Sequence, residues 1–224
     1  MTFAAKVIQF NRALLRPTGL PGGVKTMNPF ENKEVQNIVE LFYSKYYNDD
    51  NPRTLILGIN LGRLGGGITG IPFTDPERLE TDCNIPNNFV KRSEISSIFI
   101  HEMMYAFGGL SKFYNQYYFN SICPLGFTLD GKNLNYYDIS DLQKALIPYI
   151  EANINAQIAM GVNREICYCL GEGKNFKFFQ KFNDEHQFFS RVISLPHPRF
   201  IMQYKLKMKE EFISTYLQLL QTEK

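Results

Sequence analysis

The 224 residues carry 24 Lys and Arg against 22 Asp and Glu, with 44% apolar and 21% charged positions. This is the balance of an ordinary globular domain with a full core, neither a polycation nor a disordered chain, and no run approaches the ~18 apolar residues of a membrane span. Cys83, Cys123, Cys167 and Cys169 offer no second Cys/His pair at zinc-ligand distance, so they are expected as reduced, mostly buried thiols of a cytoplasmic protein without metal or cofactor.

In chain order, Phe3–Leu15 and Lys33–Tyr46 space their apolar residues by three and four, which predicts two amphipathic helices. Arg53–Ile59 is a first strand. It runs into a loop with six glycines between Gly58 and Gly70, closed by Pro72-Phe73. Ser93–Phe107 keeps a helical period and stops at Gly108-Gly109. Asn115–Ile122 is a second strand, and Ile139–Met160 a long helix that Pro148 should kink or divide. A third strand over Glu165–Leu170, a short helix over Phe176–Phe182, a fourth strand over Phe188–Ser194 and a helical tail over Phe200–Gln221 complete the pattern.

Strands alternating with helices predict right-handed crossovers, hence a three-layer α/β/α sandwich around a mostly parallel four-stranded sheet. Residues 1–224 form a single domain in this scheme, with residues 1–50 as a helical part packed on it. Ligands of such sheets bind beyond the carboxyl ends of the strands. The loops that gather there start at Asn60, Cys123, Gly171 and Leu195.

The motifs that would fill that end with common chemistries are missing. The glycine loop has no lysine between Arg53 and Lys91, so it is no P-loop, and it lacks the dinucleotide Gly-x-Gly-x-x-Gly frame. His101-Glu102 starts like a zinc-protease helix, but Tyr105 stands where the second histidine is needed. His101 is expected as a helix-surface or packing residue and His186 as a solvated loop residue. What remains is Asn60, Asn120, Phe73 and His197 at strand ends. An amide can orient a water but cannot act as a general base. Such a set suits a leaving group that departs largely by itself and is caught as an anion.

At these residues the chain resembles the uracil-DNA glycosylase superfamily, in its single-strand-selective monofunctional (SMUG-type) branch. The likeness lies in Gly58-Ile59-Asn60-Leu61-Gly62 with Thr69-Gly70-Ile71-Pro72-Phe73, in "FNSICPLGFTLDGKNL", and in "LPHPRF", in that order along the chain. The resemblance implies a DNA glycosylase that flips out uracil, or a related deaminated or C5-modified base, and hydrolyses its N-glycosidic bond. By position, Asn60 would hold the attacking water, Phe73 would stack on the base, Asn120 would read its edge and His197 would donate to O2. Gly58, Ile59 and Gly62 would line the base site, with Gly62 leaving room for a substituent at C5.

Gly65 and Gly66 would let the backbone approach DNA, and Arg199, Lys205 and Lys209 would meet its phosphates, the two lysines on one helical face. Phe200, Ile201 and Met202 are the candidates for a wedge. Two departures stand out: Leu61 replaces the family's proline, and Leu195 stands where the family histidine aligns, with His197 two residues later. DNA is the expected partner, in the cytoplasm at the nucleoid, and a monomer is expected. Two other readings stay open: a non-catalytic module for single-stranded or damaged DNA, and a glycosylase acting mainly on xanthine or hypoxanthine.

Overall fold

The computed structural model describes residues 1–222. In chain order the elements are α1 (Phe3–Ala13), β1 (Lys25–Met27), α2 (Lys33–Tyr46), β2 (Thr54–Asn60), α3 (Gly66–Thr69), α4 (Pro76–Thr81), α5 (Ile95–Phe107) and α6 (Leu110–Tyr114). Then follow β3 (Tyr117–Cys123), β4 (Gly126–Leu129), β5 (Lys132–Leu134), α7 (Ser140–Ala159), β6 (Ile166–Leu170), α8 (Lys174–His186), β7 (Arg191–Leu195), α9 (Pro198–Tyr204) and α10 (Lys209–Thr222).

The central sheet has the order β3-β2-β6-β7 with every pair parallel. Helices cover it, giving the expected α/β architecture. β2 lies inside the sheet, and its Leu55–Leu57 are at most 1% exposed, as a strand covered on both faces requires. Its register, Asn60 opposite Cys123 on β3, brings the carboxyl ends of neighbouring strands to one rim. The loops after β2, β3, β6 and β7 therefore open at the same edge, as the alternating pattern predicted.

A second, antiparallel sheet of order β1-β4-β5 was not anticipated. Its hairpin turns at Asp130-Gly131, with φ of 49° and 73°. Asp-Gly between apolar runs is a hairpin signal in the sequence itself. The hairpin ends at Leu134, directly against Asn60.

Two expected helices differ. Pro148 does not divide α7, which runs unbroken for 20 residues. Pro148 and Lys144 are both exposed, so the Lys144 carbonyl that loses its donor faces solvent. The tail, expected as one helix, breaks at Lys205 (φ −130°, ψ 25°) and resumes after a 3₁₀ turn at Leu206–Met208. Lys205 and Lys209 consequently stand on different elements. All four cysteines are free and buried. Among the described residues no helix is long and apolar enough to cross a membrane.

Candidate active site

The loops at the carboxyl rim enclose a cavity of about 330 Å³. Asn60, Ile59, Gly62, Gly66, Phe73, His197 and Arg199 line it, so seven of the residues singled out from the sequence meet at one place.

Asn60 is the last residue of β2, and its amide is held at both ends. Its Nδ2 donates to the Leu134 carbonyl (3.3 Å) and its Oδ1 accepts from the Tyr136 N–H (3.2 Å). One N–H and one lone pair stay uncommitted on a side chain whose orientation is fixed. That is what orienting a water requires.

Phe73 sits at φ 54°, in the left-handed region that a bulky residue avoids. The surrounding loop imposes it. Thr69 Oγ1 donates to the Thr74 carbonyl (2.7 Å) and accepts from the Ile71 N–H (3.1 Å). Thr74 in turn meets His101 Nε2 (3.4 Å), whose Nδ1 lies 2.8 Å from Asp82. His101 is buried and pins the residue after Phe73, so it is the packing residue expected. The Phe73 ring leans on Phe119 (5.3 Å between centroids) and overlies Gly58, where a Cβ would come within 2.9 Å of Cζ. Gly58 thus supports the site by having no side chain, underneath the ring.

His197 follows β7 and caps α9. The Arg199 N–H donates to its Nδ1 (3.1 Å), which leaves the proton of the neutral ring on Nε2. Enclosure in the cavity wall, with Arg199 nearby as a second cause, lowers its pKa to about 4. The ring is therefore neutral near pH 7, with Nε2–H as a donor. Two bonds fix the turn that carries it: Gly171 N–H to the Leu195 carbonyl (2.7 Å) and the Tyr216 hydroxyl to the Pro196 carbonyl (2.5 Å). Leu195, at the position where the family histidine aligns, is fully buried as the last residue of β7. His197 lies beyond the strand, at the N-cap of α9, and it is this residue that lines the cavity.

Asn120 is not part of this cavity. It is 4% exposed, its Nδ2 donates to the Tyr118 hydroxyl (2.8 Å) and its Oδ1 accepts from the Ser121 N–H (2.8 Å). Strand alternation sends the Asn120 side chain, with Tyr118, to the other face of β3. Ser121 lines the cavity in its place. Gly65 is buried just before α3, off the lining, and Gly66 starts α3.

Lys209 is also differently placed. Its ammonium pairs with Glu102 (2.7 Å) and approaches Glu210 (3.6 Å), which raises its pKa and offsets its charge. Arg199 and Lys205 are exposed. Of the wedge candidates, Ile201 is fully buried, whereas Phe200 is 43% exposed beside the cavity. Its ring touches Tyr204 (5.8 Å), itself 72% exposed. His186 ends α8 with its ring stacked on Phe188 (5.1 Å), not free in a loop.

Four further lining residues, Glu94, Ser96, Asn133 and Asn135, were assigned no role from the sequence, although Asn133 lies in the stretch that carries the resemblance. Glu94 and Ser96 lie at the start of the helix expected over Ser93–Phe107. Asn133 and Asn135 follow the overlooked Asp-Gly turn, which could have placed them at the rim.

The model of the uracil DNA glycosylase superfamily matches residues 44–221. The crystal structure of wild-type SMUG2 from Pedobacter heparinus is 52% identical, with a TM-score of 0.95, over 98% of this chain and 97% of that one. No curated protein sequence matches the chain.

Proposed function

The chain belongs to the uracil DNA glycosylase superfamily, in its SMUG-type branch, and on that premise we propose that it is a monofunctional glycosylase releasing uracil from DNA. The observation that carries this reading is the pairing of two fixed groups in one cavity: the clamped amide of Asn60 and the Nε2–H of a neutral His197.

A base stacked in a duplex is out of reach, so the nucleotide enters extruded or from a single strand. Phe73 offers its ring face to the base, its backbone held ready by the Thr69 and Thr74 bonds. As the N-glycosidic bond lengthens, positive charge spreads over the sugar and negative charge over the uracil. His197 donates Nε2–H to O2 of the departing base. A neutral donor needs no proton transfer, and a preorganised donor of this kind contributes about 3 kcal/mol to the transition state. Asn60 holds the water whose oxygen bonds to the anomeric carbon as the bond to uracil breaks, and the proton that this water loses passes to the released uracil anion or to solvent. No amine takes part, so the product is an abasic site with its strand intact.

Base-edge recognition does not fall to Asn120 in this reading. Ser121 lines the cavity beside Gly58, which lies under the Phe73 ring, and its hydroxyl can both donate and accept. Arg199 and Lys205 meet phosphates, and Phe200 with Tyr204 fills the gap left by the flipped base. The protein acts as a single-domain monomer on DNA in the cytoplasm, in base excision repair.

The test is a labelled oligonucleotide with one uracil, single- and double-stranded. The expected result is strand scission only after alkali. Scission without alkali would overturn the monofunctional assignment, and binding without scission under either condition would favour a non-catalytic module.

A further inference from the structure

The clamp on Asn60 is only half built from regular structure. Leu134, whose carbonyl accepts from Nδ2, ends β5, but Tyr136, whose N–H meets Oδ1, stands in the turn beyond that strand. The turn closes on itself: Asp138 N–H donates to the Asn135 carbonyl (3.0 Å) and Asn135 N–H to Asp138 Oδ2 (2.8 Å). Neither bond holds it against the sheet. The Tyr136 side chain does. It is fully buried, its ring lies against Tyr137 and Phe178 (5.0 and 5.2 Å between centroids), and its hydroxyl donates to Asn175 Oδ1 (2.8 Å). Burial holds the hydroxyl pKa well above its ordinary value, so the proton stays on the oxygen. Asn175, 2% exposed in the first turn of α8, commits its Nδ2 to the Leu170 carbonyl (3.0 Å) and Cys169 Sγ (3.3 Å) at the end of β6. Gly171, the next residue, lies between Asn175 and His197, since a Cβ on it would be 3.7 Å from a carbon of each.

We infer that Tyr136 is a positioning residue: its bond to Asn175 ties the turn that clamps Asn60 to the end of β6, and so sets the Asn60 amide against the same support as His197. The inference rests on the glycosylase reading for its effect on rate. Both clamping bonds, at 3.2 and 3.3 Å, lie at the long end of the usual range, so a small displacement of the turn loosens them. An amide free to swing no longer presents its remaining N–H and lone pair in one direction, and the water it holds loses its line of attack. Tyr136 is not among the residues that line the cavity, so its influence on the reaction passes through the group it holds. Removing the hydroxyl also leaves Asn175 Oδ1 buried without its donor, which favours rearrangement of the loop over retention of the gap.

The experiment is a cycle of wild type, Y136F, N60A and Y136F/N60A, with single-turnover uracil release measured over a range of enzyme concentration. Y136F keeps the ring and removes only the hydroxyl. Its saturating rate should fall about tenfold or more, as misplacement of a reacting group does, with the half-saturating concentration almost unchanged. In the N60A background the same change should cost less than about threefold, because the group it acts through is gone. An equal loss in both backgrounds, a loss confined to the half-saturating concentration, or no loss at all would overturn the proposal. If Y136F does not fold, N175A removes the acceptor instead and enters the same cycle with the same expectations. The free protein supplies a readout that needs no activity. The side-chain amide signals of Asn60 in a ¹⁵N–¹H spectrum, identified by their absence in N60A, should shift or broaden in Y136F, and unchanged signals would also overturn the proposal. A wild type that releases no uracil, with those signals still moving, would sink the glycosylase reading and leave the positioning of Asn60 standing.

Discussion

The two ends of β2 treat polar groups in opposite ways. At the amino end Arg53 is fully buried, and nearly every donor it has is matched. Its guanidinium pairs with both oxygens of Asp49, donates to the Asn51 and Tyr114 carbonyls and lies 5.3 Å from the rings of Phe3 and Tyr47. Seven residues on, at the carboxyl end, Asn60 keeps part of its amide free, His197 keeps a free Nε2–H, Phe73 holds a strained backbone and Glu94 is enclosed with one hydroxyl donor. A satisfied charge holds the strand in register; unsatisfied groups at the other end wait for a ligand. One strand thus joins a stability centre to the proposed reaction centre, and substitutions at the two ends should fail differently.

The largest effect is expected at the amino end. Arg53→Ala leaves a cavity beneath Phe3 and Tyr47 and strips the Asn51 and Tyr114 carbonyls of their donor, so it should cost about 2–5 kcal/mol in a urea titration. Uracil release per folded molecule should stay near wild type, and a loss of activity greater than the loss of folded protein would break the contrast.

Next comes pH. His197 has its pKa lowered from 6.5 to about 4 in the folded protein. Between those values the unfolded chain binds the proton more readily, so stability falls as pH drops through the window and is complete above it. The loss should reach up to about 3 kcal/mol by pH 4. Urea titrations at pH 7 and pH 4.5 should show a smaller decline for His197→Asn. The same shift predicts that base release gains nothing from imidazolium as pH falls from 7 to 5; a rise there would contradict the neutral-donor role.

Gly58→Ala should act through Phe73, since a Cβ at position 58 lies 2.9 Å from the ring. Displacing the stacking face should slow release by about ten- to a hundredfold while the melting temperature moves little. The smallest effect belongs to the rim. Lys205→Gln should weaken DNA binding and reduce the slope of log affinity against log salt by about 1. Lys209→Gln, already paired with Glu102, should change the slope less.

Most of the central fold was legible because it rests on local apolar patterning. Buried β2, β3 and β6 are apolar runs bounded by turn residues, and α2 has its predicted bounds. Short elements such as α3, α4 and α6 were not, because four to six residues carry too little period to register. The break at Lys205 was hidden for another reason: the residues around it are good helix formers. In the site, Asn60 and His197 could be placed because each lies on or just after a strand end, and Phe73 because it closes the glycine-rich loop that leaves β2. Asn120 does not line the cavity as expected, because the sequence shows that a strand alternates but not which face meets the cavity. Glu94 was invisible because it comes from a helix start 34 positions after Asn60, and only the folded loop brings its carboxyl against Gly62 and Gly65.

The central claim is that the carboxyl end of β2 performs the reaction while the amino end only supports it. Its most direct test is the single-turnover rate of uracil release by Asn60→Ala, per folded molecule. The account predicts a fall of about a hundred- to a thousandfold, the cost of one preorganised group, with an almost unchanged melting temperature. A rate within threefold of wild type would contradict it and move the water site elsewhere in the cavity.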